Sequence, residues 1–230
     1  MKIQLPGSIL GPSTFADFDA APEPSGVDLL VYVGGAISPS EYLARRETST
    51  SALLTPLRPD GTRHSALVLP CSPALPGRPE DAWEVFLDHF HHEVLPALPL
   101  RPERMAVIGF SLGAALAVLL ARAEGARVVA LAAVGAVGAA EALADPGPEL
   151  GPLACPVLLA WNTGDPCAPH SERFVAALEA AGVAHDVTRG EGGHGFRDYV
   201  GNGRMSSAAA FGAKNLTPAV RPDRPPVSGA

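Results

Sequence analysis

Short apolar runs separated by helical segments recur from residue 27 to residue 188, and that alternation leaves few folds open. The runs are Val27–Val33 (VDLLVYV), Ser65–Leu69 (SALVL), Arg104–Gly109 (RMAVIG), Val128–Val134, Pro156–Trp161 (PVLLAW) and His185–Thr188. Most of them are apolar throughout rather than alternating with polar residues, which is the pattern of strands buried on both faces. The segments between them carry helical signals. Ser38-Pro39-Ser40-Glu41 reads as a capped helix start. Trp83, Phe86, Leu87, Phe90 and Val94 recur at helical spacing within Pro79 to Leu95. Further helices are expected over Leu112–Ala123, Ser171–Ala181 and 204–215. The expected fold class is therefore α/β, with a mostly parallel central sheet and helices on both faces. Residues 1–26 are expected to add short antiparallel edge strands. Residues 1–215 are read as one domain, and the proline-rich 216–230 as a disordered tail.

Length and composition agree with a single domain. The chain has 230 residues, of which 47% are hydrophobic and 18% charged. A net charge of −7 without any dense basic run argues against nucleic acid as a partner. Arg45-Arg46 is only a pair and reads as a solvated helix face. Cys71, Cys155 and Cys167 are widely spaced and form no CxxC, so neither a disulfide framework nor a zinc site is expected. The first residues lack the apolar core of a signal peptide, and Arg122 and Glu124 break the long apolar stretch before it could span a bilayer. No membrane span and a cytoplasmic location are the expectations.

The chemistry centres on Gly109-Phe110-Ser111-Leu112-Gly113, a G-x-S-x-G sequence. Its context is the one such a nucleophile requires, because RMAVI precedes it as a strand and LGAALAVLLARAE follows it as a helix. The sharp turn holds the serine hydroxyl above the sheet, and glycines on either side let strand and helix pass closely. The backbone N–H of Leu112 then lies at a helix N-terminus, where it can face a developing oxyanion. A serine in an ordinary strand–helix turn is the bland alternative.

A serine hydroxyl needs a base, and the base needs an orienting carboxylate. Of the histidines after Ser111, His194 lies in the glycine-rich GEGGHGF loop beyond the last strand. His185 lies within that strand, and His170 follows Pro169 at a helix start as a capping or surface residue. His89, His91 and His92 crowd one helix without a ligand pattern and read as exposed. Asp165, in WNTGDP, stands at the carboxyl end of PVLLAW, where ligand chemistry gathers in open α/β sheets. Gly-Asp-Pro is also ordinary turn chemistry, and Asp145 is the rival carboxylate. The second oxyanion donor is expected from the turn after VDLLVYV: Gly35, with Ala36 as its neighbour.

Taken together, VYVGGA, GFSLGAA, WNTGDP and GGHGF, in that order, resemble the α/β-hydrolase superfamily, specifically its small esterase, thioesterase and dienelactone-hydrolase-like members. The resemblance covers roughly residues 26–212. It implies Ser111 as nucleophile, Asp165 as acid and His194 as base, with no metal or organic cofactor. The chain departs from the pattern in two places. Val33-Gly34-Gly35 stands where many esterases have His-Gly, and serine stands where dienelactone hydrolases proper carry a cysteine. The stretch between Val134 and Pro156 is too short for a large cap domain. The expected function is cleavage of a small ester or thioester through an acyl-enzyme. Acyl transfer on the same three residues, or a non-catalytic binding protein of this fold, are the alternatives. Phe110, Leu112 and the proline-rich loop near Cys71 and Leu75 are candidates for an acyl pocket, though core packing explains Phe110 and Leu112 equally well.

Overall fold

A computed structural model describes residues 2–4, 15–19, 28–36, 65–71, 79–99, 101–145, 147 and 150–216. The helix start at Ser38, the Arg45-Arg46 pair, Leu75 and residues 217–230 of the expected tail lie outside these residues. Leu216, the first residue of that expected tail, instead ends the last described helix and is buried in the core.

Eight strands form one sheet in the order β1-β2-β4-β3-β5-β6-β7-β8. They are β1 (Lys2–Gln4), β2 (Phe15–Asp19), β3 (Asp28–Ala36), β4 (Ser65–Cys71), β5 (Arg104–Phe110), β6 (Val128–Val134), β7 (Val157–Asn162) and β8 (His185–Gly190). From β4 to β8 every neighbouring pair is parallel. β1 and β2 pair antiparallel at one edge, where the sequence places edge strands.

The apolar runs divide by alternation between the two faces of the sheet. Leu29, Val31, Val33, Val107, Leu131, Leu159 and Trp161 face one side. There they meet α1 (Pro79–His89), α2 (Gly113–Glu124), α3 (Ala139–Ala144) and α4 (Ala168–Ala180). Leu30, Tyr32, Ala106, Ile108, Phe110, Ala132 and Val134 face the other side. That face is covered by α5 (Phe196–Gly201) and α6 (Arg204–Leu216), through Tyr199, Met205, Ala208, Ala209 and Leu216.

α2 is buried from Gly113 through Arg122. Ala114, Ala115, Ala117 and Ala121 let it lie close on the sheet. The one charged residue in that run, Arg122, donates from Nε to the Gly151 carbonyl at 2.9 Å and from Nη1 to the Ala142 carbonyl at 2.7 Å. The guanidinium is thus satisfied by backbone rather than left as a bare buried charge. No helix among the described residues is long and apolar enough to cross a membrane.

The helix expected over Pro79 to Leu95 continues past α1 through a wide π turn, Phe90–Val94, into Leu95–Ala97. The structure corrects part of the expectation for the histidines. His92 is exposed, but His89 is buried and His91 is only half-exposed. A π turn inserts an extra residue into the helical period, so the faces beyond it cannot be extrapolated from the spacing before it. His89 Nδ1 lies 3.2 Å from the Glu93 carboxylate, and His91 Nε2 lies 2.6 Å from that of Glu124. Burial holds the His89 imidazole below its ordinary pKa against the opposing pull of Glu93 and Asp88.

Candidate active site

Ser111 stands between β5 and α2 with φ +55°, and it is the only non-glycine residue with positive φ among the described residues. A side chain held there costs on the order of 1–3 kcal/mol. The surroundings fix it from both sides. The Ser111 N–H donates to the Val134 carbonyl at 2.9 Å, and its own carbonyl accepts from Ala114 and Val137 at 3.0 and 3.1 Å.

The flanking glycines are required by close approach. A Cβ on Gly109 would lie 2.5 Å from the Cα of Ala114. One on Gly113 would lie 2.2 Å from the Gly34 carbonyl oxygen and 2.3 Å from that of Val33. The first turn of α2 therefore rests directly on the end of β3.

The structure brings Ser111, His194 and Asp165 together. Ser111 Oγ is 2.8 Å from His194 Nε2, and His194 Nδ1 is 2.8 Å from Asp165 Oδ2. Asp165 is 3% exposed, whereas the His194 side chain is 28% exposed and Ser111 is half-buried. Asp165 Oδ1 accepts the Cys167 N–H at 2.6 Å, and Oδ2 also accepts the Tyr199 hydroxyl at 2.5 Å. Burial alone would raise the Asp165 carboxyl. The bonds from Tyr199, His194 and Cys167, with the charge of His194, outweigh it and hold the group below its ordinary value. The Tyr199 phenol is pushed well up by burial and by Asp165, so it stays a donor. The Cys167 thiol is raised by burial and by the Asp165 charge.

Phe110 and Leu112 have separate surroundings. The Phe110 ring stacks against His194, with centroids 5.7 Å apart and planes 21° apart. Phe196 and Tyr199 meet Phe110 edge-on at 5.6 and 5.4 Å. Phe110 is therefore the platform under the imidazole, and Leu112 packs against the core on the α2 side. The Leu112 N–H meets no acceptor among the described residues. Gly35 borders the serine, since a Cβ there would lie 3.0 Å from Ser111 Cβ. Gly34 and Gly35 fall where the β3–β4 register shifts, between Val33 and Ala36.

The other candidates lie elsewhere. Asp145 accepts the Gly147 N–H at 3.0 Å within its own loop. His170 Nδ1 is 2.8 Å from Arg173 Nη2 on α4, and His185 Nδ1 is 2.9 Å from the Val183 carbonyl.

Three residues that the sequence does not single out, Tyr199, Asn162 and Asn202, complete the site. The Asn162 N–H donates to the Tyr199 oxygen at 3.2 Å. Asn162 Nδ2 donates to the Gly193 carbonyl at 2.9 Å, next to His194. Asn202 Nδ2 donates to Asn162 Oδ1 at 2.6 Å and to the Glu191 carbonyl at 3.0 Å. This network ties the end of β7 to the histidine loop. The one signal for it is a polar Asn162 closing the apolar run VLLAW. One ligand atom each from Asp165, Cys167 and His194 also lie within 4.8 Å of one another, the set among the described residues that could hold a metal.

The fold has counterparts. The chain resembles FphF, a fluorophosphonate-binding serine hydrolase of Staphylococcus aureus, at 12% identity over 92% of this chain and 96% of that one, with a TM-score of 0.63. It resembles a ferulic acid esterase at 12% identity over 93% and 97%, with a TM-score of 0.68. It resembles EstE1, a thermostable carboxylesterase from a metagenomic library, at 18% identity over 95% and 89%, with a TM-score of 0.60. At these identities the likeness establishes the shared α/β-hydrolase fold. No curated protein matches the chain. The sequence model of the dienelactone hydrolase family matches residues 84–215, from α1 through α6 and including Ser111, Asp165 and His194. That match spans more than half of the sequence, and the chain belongs to the dienelactone hydrolase family.

Proposed function

We propose that this protein is a serine hydrolase that cleaves a small carboxylic ester or thioester through an acyl-enzyme on Ser111. The observation that carries the reading is the continuous pair of 2.8 Å contacts from Ser111 Oγ to His194 and from His194 to Asp165. The backward-turned serine backbone supports it, because that turn aims the hydroxyl over the carboxyl ends of the strands.

His194 Nε2 takes the Ser111 proton as Oγ bonds to the substrate carbonyl carbon. Negative charge gathers on the carbonyl oxygen, where the N–H groups of Leu112 and Gly35 stabilise it. Asp165 keeps the Nδ1 proton on the imidazole and stabilises its charged form. The bond to the leaving group breaks, and His194 delivers its proton to the departing alcohol or thiol. Water then gives a proton to His194 and attacks the acyl carbon. The acid is released and Ser111 regains its hydrogen.

The direct test is a fluorophosphonate probe with peptide mapping, alongside hydrolysis of 4-nitrophenyl and thioester substrates of increasing acyl length. Labelling at Ser111 with turnover of at least one series is expected. Turnover without Ser111 labelling would overturn the assignment.

Tyr199 acts as a positioning residue for Asp165 in this scheme. Tyr199→Phe keeps the ring against Phe110 but removes the donor to Oδ2. A hydrogen bond to a charged group is worth about 1.5–3 kcal/mol. Only the part realised in the transition state reaches the rate, so kcat should fall about tenfold. KM should hold, and steady-state kinetics on the best ester of the panel reads the split. A rise in KM at constant kcat would place Tyr199 in substrate binding instead.

A further inference from the structure

We propose that Asp165, Cys167 and His194 form a site for a zinc-like divalent cation, and that its occupancy switches the enzyme off. The ligand atoms of these three residues already lie within 4.8 Å of one another. Cys167 is a free thiol at the start of α4, and it is partly exposed, as is His194. The site is therefore reachable from solvent on the side where Asp165 is not. Its backbone is fixed around the carboxylate, since the Cys167 N–H donates to Asp165 Oδ1 at 2.6 Å.

The donor set selects the cation. A thiolate, an imidazole and a carboxylate suit zinc or cadmium, whereas magnesium and calcium prefer oxygen alone. Zinc binds sulfur at about 2.3 Å and nitrogen or oxygen at about 2.0–2.2 Å. Such a centre requires side-chain rotation at Cys167 and His194 to bring the three atoms around one ion, with water in the fourth position.

The proton balance explains the switch, and this consequence rests on the catalytic reading of Ser111 and His194. The cation replaces the thiol proton, which leaves to solvent. It also displaces the proton that lies between His194 Nδ1 and Asp165 Oδ2, now 2.8 Å apart, and that proton passes to Nε2. A neutral imidazole bound through Nδ1 must carry its hydrogen on Nε2. Nε2 then donates toward Ser111 Oγ and can no longer accept its proton. The base is lost without any change in the fold.

Cadmium titrated into the full chain reads the site independently of turnover, through the ultraviolet thiolate-to-cadmium band. One equivalent should produce the band in the wild type, in Cys71→Ala and in Ser111→Ala, and none should appear in Cys167→Ala. Zinc should inhibit hydrolysis of a 4-nitrophenyl ester reversibly, with activity restored by EDTA. In Cys167→Ala, which keeps the backbone N–H, at least tenfold more zinc should be needed to halve that variant's own metal-free rate. A full band in Cys167→Ala, or equal zinc sensitivity in both proteins, would overturn the site. If no ester is turned over but the band follows Cys167, the metal site stands and the catalytic reading alone fails.

Discussion

Replacing Ser111 by alanine is expected to lower the turnover of a short-chain ester by about four orders of magnitude or more, while the protein stays folded. The size follows from what the substitution removes. Without Oγ no acyl-enzyme forms, and His194 can act only on water placed by chance. Oxyanion donors and binding contacts survive such a change, and in a comparable site they leave on the order of a thousandfold acceleration over water. The fold should be indifferent, because Ser111 is half-buried and its backbone partners Val134, Ala114 and Val137 are untouched. A companion variant separates chemistry from strain. Ser111→Gly removes the same hydroxyl but also relieves the cost of a side chain at φ +55°. It should be as inactive as Ser111→Ala and should melt at a higher temperature. Purified Ser111→Ala with more than about one percent of wild-type kcat would mean that another group carries the acyl chemistry.

Ser111 is legible in the sequence and much of its surroundings is not, and the difference is one of range. The elbow is a local object, with strand, turn and helix contiguous from Arg104 to Glu124, so its signal lies in one stretch of sequence. Asp165 and His194 are distant from it, but each sits on a loop just past a strand, and the parallel sheet brings those loops to one edge. Tyr199 has no such marker. It reaches Asp165 because the short α5 folds directly after the histidine loop, and six residues of helix leave almost no periodic signal. The same brevity hides α3. Asn162 and Asn202 pair across 40 positions, and nothing in either neighbourhood announces it. Helix α4 begins at Ala168, three residues before the position expected at Ser171, because Pro169 fits the first turn of a helix as readily as the loop before it. The exposure expected of His89 fails because His89 stands three residues after the buried Phe86 and shares its side of α1, so it enters the core despite its polarity.

Gly113→Ala should produce the opposite profile to Ser111→Ala, a large loss of stability from the addition of one methyl group. The new Cβ would stand 2.2 Å from the Gly34 oxygen, 2.3 Å from the Val33 oxygen and 2.8 Å from the Val33 carbonyl carbon. All three are backbone atoms of β3, so no rotamer change relieves the overlap. β3 is pinned on both sides by its ladders to β4 and β5, and α2 is buried along ten residues. Either the helix lifts from the sheet or the end of β3 is displaced. Overpacking in a dense core costs about 1–3 kcal/mol, and more where neither side can yield. A cost of about 3 kcal/mol lowers the melting temperature of a domain this size by roughly 6–12 °C. The damage also reaches the site, because Gly35 lies just beyond the displaced carbonyls and borders Ser111. Activity at low temperature should therefore fall further than the folded fraction does. Gly201→Ala serves as the control, since a Cβ there meets nothing within 4 Å. Thermal melts of the three proteins decide the matter: if Gly113→Ala unfolds within about 2 °C of the wild type while Gly201→Ala behaves the same way, the contact between α2 and β3 is looser than these distances require.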